Sequence, residues 1–271
     1  MSKFLFLFLL FFLFSIQLFA QIIEYPWRPL SIPSAKLKGA VHTVLTIEQR
    51  GERVFGTIVE VYDLKGKLTE TMGSNASIEI HSGQLLRGGG KRFFSYDASG
   101  KLIKEKYFEP EGNFWSYTSY IYDSKNRLIA EIEYDTKDKI RSKTSYAHFP
   151  EKRVVEITGQ VVDEGSLNVG VKTLVSYNDK GQFIKRTELN SKVNDSVSFE
   201  YDGKGNFVKE VHCCNYNYSY DYSYKFDKQG NWIEREQTYT QVNKITGEQE
   251  TENQTNYYRV ITYYSDYETK P

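Results

Sequence analysis

The chain has 271 residues, and its 35 Lys and Arg balance 35 Asp and Glu, for a formal net charge of zero. That balance leaves no global field to recruit nucleic acid or an anionic membrane surface, so neither is an expected partner. The weight falls on aromatics instead: 22 Tyr and 17 Phe stand against 2 Met and 2 Cys. Tyrosine suits strands because its ring packs on a pleated surface while its hydroxyl reaches a polar partner.

Lys3 precedes an apolar run over residues 4–14, followed by Ser15, Gln17 and the small Ala20. That order is the signature of a secretory signal peptide over 1–20, cut after Ala20. The run is too short for a membrane span, which needs about 20 apolar residues. The mature chain is therefore expected to be exported (periplasmic, cell-surface or secreted) and to carry no membrane span. Residues 21–36, with Tyr25-Pro26-Trp27-Arg28-Pro29 and Pro33, read as an extended segment. Residues 37–271 read as one β-repeat domain.

In chain order, the pattern predicts a strand over 41–48, a turn at 50–52 and a return strand over 54–62. Asp63-Leu64-Lys65-Gly66 is then the first copy of a reversal whose fullest form is Tyr201-Asp202-Gly203-Lys204-Gly205-Asn206-Phe207-Val208. Asp suits the first position of a type I turn, where its carboxylate accepts backbone N–H groups. Gly205 suits the left-handed position that follows. Residues 69–90 are less regular, with a turn at 81–84 and a loop or bulge at 88–90. Beyond Tyr96, turns at 97–100, 123–126, 149–152, 178–181, 202–205 and 227–230 recur about every two dozen residues. Weaker reversals fall between them at 109–112, 135–138, 163–166, 191–195, 214–217 and 243–247, and a last strand covers 257–264.

The residues that carry the strong turns are Asp63 and Gly66, Asp97 and Gly100, Asp123 and Asn126, Asn178 and Gly181, Asp202 and Gly205, and Asp227 and Gly230. Successive turns of a meander alternate between the ends of a sheet, so the strong turns should share one end. Turn signals about every dozen residues leave no room for ordinary helices. The fold class is thus all-β: a long antiparallel up-and-down meander of repeated hairpins. Sheets of well over a dozen strands curl, split or close. A coiled or spiralling single sheet is expected, with a closed barrel as the alternative. Charges at consecutive positions, as in Lys185-Arg186 and Glu234-Arg235-Glu236, put polar groups on both faces. That pattern denies the lipid-facing apolar row of an outer-membrane barrel.

Tyr62-Asp63, Tyr96-Asp97, Tyr122-Asp123, Tyr177-Asn178 and Tyr201-Asp202, each with Gly or Asn three residues after the Asp position, resemble YD repeats of the RHS and teneurin type. The resemblance covers residues 54–233. It implies antiparallel sheets that wind into a shell, and an association with cell-surface contact and carbohydrate binding. The Gly-Arg pair common in that family is absent, Asn126-Arg127 being the nearest match.

No constellation nominates catalytic residues. The turn aspartates are spread one per hairpin, whereas a calcium site needs several oxygens at once. His212, Cys213 and Cys214 form the one soft-ligand cluster, but on a strand Cys213 points away from the other two. No metal or cofactor is therefore expected. The two cysteines are adjacent, so a strained vicinal disulfide and two free thiols both remain open. Gly88-Gly89-Gly90 before Lys91 lacks the helix that a phosphate cradle requires.

The most unusual stretch is Tyr218, Tyr220, Tyr222 and Tyr224, between Tyr216 and Phe226 at period-two spacing. It reads either as a binding platform for sugar rings or an extended partner, or as a cross-strand aromatic ladder. A ladder would bring it against Phe207 and Trp232. The reading that follows is an exported, non-enzymatic β-repeat protein acting as a binding or structural module at the cell envelope. Its candidate partners are a cell-surface glycan or an envelope protein. The alternatives are a component of an RHS-type toxin or immunity system, or a carbohydrate-binding protein.

Overall fold

The computed structural model describes residues 37–51, 53–74, 78–79, 89–163, 166–189, 195–213, 217–243 and 246–265. The leader and extended segment over 1–36, the turn at 81–84, Gly88, Cys214 and Tyr216 lie outside the described residues, as does part of each reversal at 163–166, 191–195, 214–217 and 243–247. The strands begin with β1 (Val41–Arg50), β2 (Arg53–Tyr62), β3 (Leu68–Ser74), β4 (Ile78–Glu79), β5 (Lys91–Tyr96) and β6 (Leu102–Phe108). They continue with β7 (Phe114–Tyr122), β8 (Leu128–Asp135), β9 (Ile140–Phe149), β10 (Val154–Asp163), β11 (Ser166–Tyr177) and β12 (Phe183–Glu188). The last are β13 (Ser196–Tyr201), β14 (Phe207–Cys213), β15 (Tyr218–Phe226), β16 (Trp232–Val242) and β17 (Gln249–Tyr263).

Every pairing is antiparallel, and β1 pairs with both β2 and β17. The meander therefore closes into a barrel of sixteen strands, with the two-residue β4 beside β2. Closure, the alternative to an open spiral, removes the edge strands that an open sheet would leave unpaired. The closing seam is pinned by Asn231, which is 4% exposed. Its Oδ1 accepts from the Lys38 N–H at 2.7 Å, and its Nδ2 donates to the Lys38 carbonyl at 2.8 Å. The Tyr263 hydroxyl donates to Asp227 Oδ2 at 2.5 Å beside it.

The strong turns share one end of the barrel and have one construction. At Asp202, Oδ1 accepts the backbone N–H groups of Lys204 and Asn206 at 2.9 and 2.8 Å, and the Gly205 N–H donates to the Asp202 carbonyl at 3.0 Å. The fourth position takes positive φ in each copy: Gly66 +74°, Gly100 +89°, Asn126 +64°, Gly181 +74°, Gly205 +88° and Gly230 +82°. A register shift follows in the return strand, so that Tyr201 pairs with Phe207. The hairpin at 149–152 departs from this form. Pro150–Lys152 makes one 3₁₀ turn, and Arg153 takes the left-handed position. At the opposite end, 135–138 proves as regular as the strong copies, with Asp135 accepting from the Lys137 and Lys139 N–H groups at 2.7 and 2.9 Å.

Between several hairpins the ladder stops short of the strong-turn end, whereas between β10 and β11 it reaches it, with the Tyr177 N–H donating to the Arg153 carbonyl at 2.9 Å. The last pair of β3 with β5 is Glu70↔Phe93, which leaves the Leu68 carbonyl outside it. The hydroxyl of Tyr96, from the next Tyr-Asp motif, donates to that carbonyl at 2.7 Å. Tyr122 does the same for Leu102 at 2.9 Å, Tyr201 for Phe183 at 2.8 Å and Tyr224 for Phe207 at 2.6 Å. At the seam Tyr264 donates to the Tyr62 carbonyl at 2.6 Å. In the Pro150 hairpin, where Phe149 lies outward of the inward position, His148 Nε2 stands 2.7 Å from the Leu128 carbonyl.

Following the register around the barrel assigns the described, paired side chains to one of two faces. Val44, Phe94, Val155, Val175, Phe183, Val197 and Phe207 lie on the inward face and are buried, as are the polar Thr71, Glu105, Ser116, Thr173 and Thr255. The outward face carries cross-strand ion pairs: Lys172–Glu156 at 2.9 Å, Lys209–Asp221 at 3.3 Å and Lys225–Glu234 at 2.8 Å. Across β10 to β16 the outside is thus charged rather than a continuous apolar band.

The two glycines of the fullest turn should respond differently to added bulk. At φ +88° a Cβ on Gly205 is strained, whereas Gly203 has nothing within 4 Å of the position a Cβ would take. Gly205→Val is expected to lower stability by about 1–2 kcal/mol, and Gly203→Ala to change it by less than about 0.5 kcal/mol. Urea unfolding of the two variants checks this, and equal midpoints would refute the turn assignment.

Candidate functional site

The inward face of the barrel is where the chain concentrates its chemistry. Sixteen strands enclose more volume than a small barrel fills with aliphatic side chains, and here tyrosine, glutamate and arginine take up the space. Midway along the strands Glu105, 4% exposed, pairs with Arg92 and accepts from the Tyr120 hydroxyl at 2.8 Å. Glu131 accepts from Tyr146 at 2.8 Å. Glu210 accepts from Tyr222 at 3.3 Å and stands 2.5 Å from His212 Nε2. The buried Glu105 and the half-buried Glu131 and Glu210 are tolerated here because each has a hydroxyl or cationic partner.

The strip Tyr218, Tyr220, Tyr222 and Tyr224 lies on this inner wall. Tyr222 packs against Phe207 at 4.7 Å, and Tyr224 meets Trp232 edge-on at 6.2 Å. Tyr218 and Tyr220 approach Tyr239 at 5.6 and 5.5 Å, and Tyr218 stacks on His212 at 4.2 Å. The strip therefore forms a cross-strand ladder whose rings engage neighbouring rings. His212 and Cys213 face opposite sides of β14. Cys213, on the outside, is disulfide-bonded and lies 3.0 Å from Ser196 Oγ. The chain's other cysteine, Cys214, falls outside the described residues.

Two arginines that the sequence did not nominate stand beside the strip. The Arg259 guanidinium lies 3.6 Å from the centre of the Trp232 ring, and Arg235 lies 4.0 Å from that of Tyr257. The sequence signal was available: Arg235 and Arg259 each alternate with outward Glu or Val, which places a cation among inward aromatics. Desolvation lowers the pKa of Arg259, opposed by the charge of Glu60. The aromatic faces offset part of the cost of burying these cations.

Two cavities open at the strong-turn end. One, of about 580 Å³, is walled by Tyr177, Ile184, Phe199 and Tyr201, with Asn178, Asp179, Lys180, Gln182, Asp202 and Arg153 at its rim. The other, of about 280 Å³, lies across the Asp202 turn and includes Lys38, Lys204, Asn206, Phe226, Trp232 and Arg259. The turn aspartates, including Asp202, are occupied by their own backbone rather than turned toward a ligand. The side-chain amide of Asn206, helped by backbone N–H groups, holds the Asp202 carboxyl below the ordinary carboxylate range. Asp179 pairs with Arg153.

No family model and no curated protein matches the chain at the sequence level. Among solved structures, a porin-like protein from Bacteroides uniformis is 11% identical with a TM-score of 0.42, over 85% of this chain and 100% of that one. The TcdB2-TccC3 structure is 12% identical with a TM-score of 0.31, over 73% of this chain and 16% of that one. A protein of unknown function from Bacteroides fragilis is 11% identical with a TM-score of 0.20, over 61% of this chain and 91% of that one.

Burial raises the pKa of the inward tyrosines. Tyr177 is pushed up to about 12, chiefly by burial and then by Tyr201, and Tyr62, Tyr146 and Tyr222 are raised further for the same first reason. A tyrosine whose folded pKa exceeds its unfolded value stabilises the fold fully below about pH 10 and loses that contribution as pH rises toward the folded pKa. Urea midpoints are expected to hold level between about pH 8 and 9.5 and to fall steadily above about pH 10. A level midpoint to about pH 11.5 would contradict the burial of these hydroxyls.

Proposed function

We propose that the chain is an exported, non-enzymatic β-repeat barrel of the YD type that binds a glycan at the cell envelope, through the cavity at its strong-turn end. The observation that carries this reading is the lining of the cavity of about 580 Å³, which sets Tyr177, Phe199 and Tyr201 beside Asn178, Gln182 and Lys180. A sugar ring offers an apolar C–H face to aromatics and a rim of hydroxyls to amides and charges, and such a mixed wall matches both. The volume is that of a small-molecule site and far below what a folded toxin domain would occupy.

The non-enzymatic part of the reading rests on the carboxylates at this rim. Glycoside hydrolysis needs one carboxyl held protonated and a second free to act. Asp202 is instead held ionised by its turn, and Asp179 is paired with Arg153. The export part rests on the leader-like residues 1–20, and the YD assignment on the repeated Tyr-Asp turns.

A glycan screen with the mature chain tests the reading, run beside Phe199→Ala and Tyr218→Ala variants confirmed as folded by circular dichroism. Phe199→Ala is expected to weaken binding by about tenfold, equivalent to about 1.4 kcal/mol, and Tyr218→Ala to leave it unchanged. Loss with Tyr218→Ala alone would move the site to the tyrosine strip. Absence of binding to any glycan would refute the proposal.

A further inference from the structure

The smaller cavity has a different chemistry from its neighbour across the Asp202 turn. Its wall gathers three cations, Lys38, Lys204 and Arg259, with no carboxylate among its lining residues. Among the described residues the Arg259 guanidinium is committed at two points. Its face rests on Trp232 at 3.6 Å, and its Nε donates a long bond to Thr46 Oγ1 at 3.4 Å. Among the described residues no carboxylate comes within ion-pairing distance of it. Glu60 acts on it from farther away, and Arg235 opposes that influence.

A guanidinium held flat against an indole keeps its in-plane N–H donors in a fixed fork. That fork matches the paired oxygens of a carboxylate or a phosphate. Two lysines and the Asn206 amide border the same space. A volume of about 280 Å³ admits one sugar-sized unit. We infer that this cavity is an oxyanion-binding site, in which Arg259 and Lys204 hold the carboxylate of an acidic sugar or the phosphate of a sugar ester. The site is separate from the aromatic cavity, so it stands or falls independently of the glycan reading.

Isothermal titration calorimetry on the mature chain at low salt, with glucuronate, glucose 6-phosphate, inorganic phosphate and glucose as ligands, tests the inference. Glucuronate, glucose 6-phosphate or both are expected to bind at least tenfold more tightly than glucose, and to weaken as salt is raised. The tighter of the two identifies carboxylate or phosphate as the natural group. Lys204 sits on an exposed turn, so Lys204→Met should preserve the fold while weakening anion binding several-fold. Arg259→Gln should abolish it, with circular dichroism reporting whether that variant folds. Phe199→Ala, in the other cavity, should leave anion binding unchanged. Anions that bind no better than glucose, or anion affinity untouched by Lys204→Met and by a folded Arg259→Gln, would overturn the inference.

Discussion

At several joins between consecutive hairpins, backbone pairing runs out before it reaches the strong-turn end, and a tyrosine hydroxyl bridges what remains. Leu68, Leu102 and Phe183 each present a carbonyl beyond the end of the ladder, and each accepts a hydroxyl from the following motif at 2.7 to 2.9 Å. A buried carbonyl left without a donor costs about 1–3 kcal/mol. At these joins the bond therefore ties one hairpin to the next where the main chain does not. It also accounts for tyrosine rather than phenylalanine before the turn aspartate at Tyr96, Tyr122 and Tyr201. The ring packs inward, and the hydroxyl supplies the connection.

The consequences run through the rest of the molecule. Hairpins joined in this way continue around a closed circuit, and Asn231 with Tyr263 and Tyr264 makes the last join. Because tyrosine rather than aliphatic side chains fills the wall, the interior can accommodate Glu105, Glu131, Glu210, Arg235 and Arg259, each against a hydroxyl, a cation or a ring. The two cavities open at this same strong-turn end. Their differing walls follow from which strands flank them: β11 to β13 contribute tyrosines and amides, while β16 and β17 contribute Trp232 and Arg259. The repeated contact thus recurs at the end of the barrel where the two cavities open.

The hairpin punctuation was legible in the sequence because it is local. Asp and Gly at fixed spacing encode a turn without reference to anything distant, and the positive φ of Gly66, Gly100, Gly181, Gly205 and Gly230 follows that spacing. The fold class followed from the turn count. Closure was harder to read, since it depends on Lys38, Asn231 and Tyr263, which are far apart in the chain. The Pro150 hairpin broke the pattern because a 3₁₀ turn shifts the inward position from Phe149 to His148. The alternation around Arg259 could be read, but its role could not. Its neighbours in sequence, Tyr258 and Val260, face outward, and its meaning comes from Trp232 on the adjacent strand.

The most direct test of this account removes single hydroxyls without changing ring volume. Tyr122→Phe and Tyr201→Phe each strip the donor from an inter-hairpin carbonyl, whereas Tyr134→Phe alters an outward ring stacked on Tyr117 at 4.8 Å. In urea unfolding, the first two substitutions should each lower stability by about 1–3 kcal/mol. The third should change it by less than about 0.5 kcal/mol. The two losses should add in the double variant, since the sites are far apart. If all three variants unfold together with the parent chain, the hydroxyls do not join the hairpins, and the account fails.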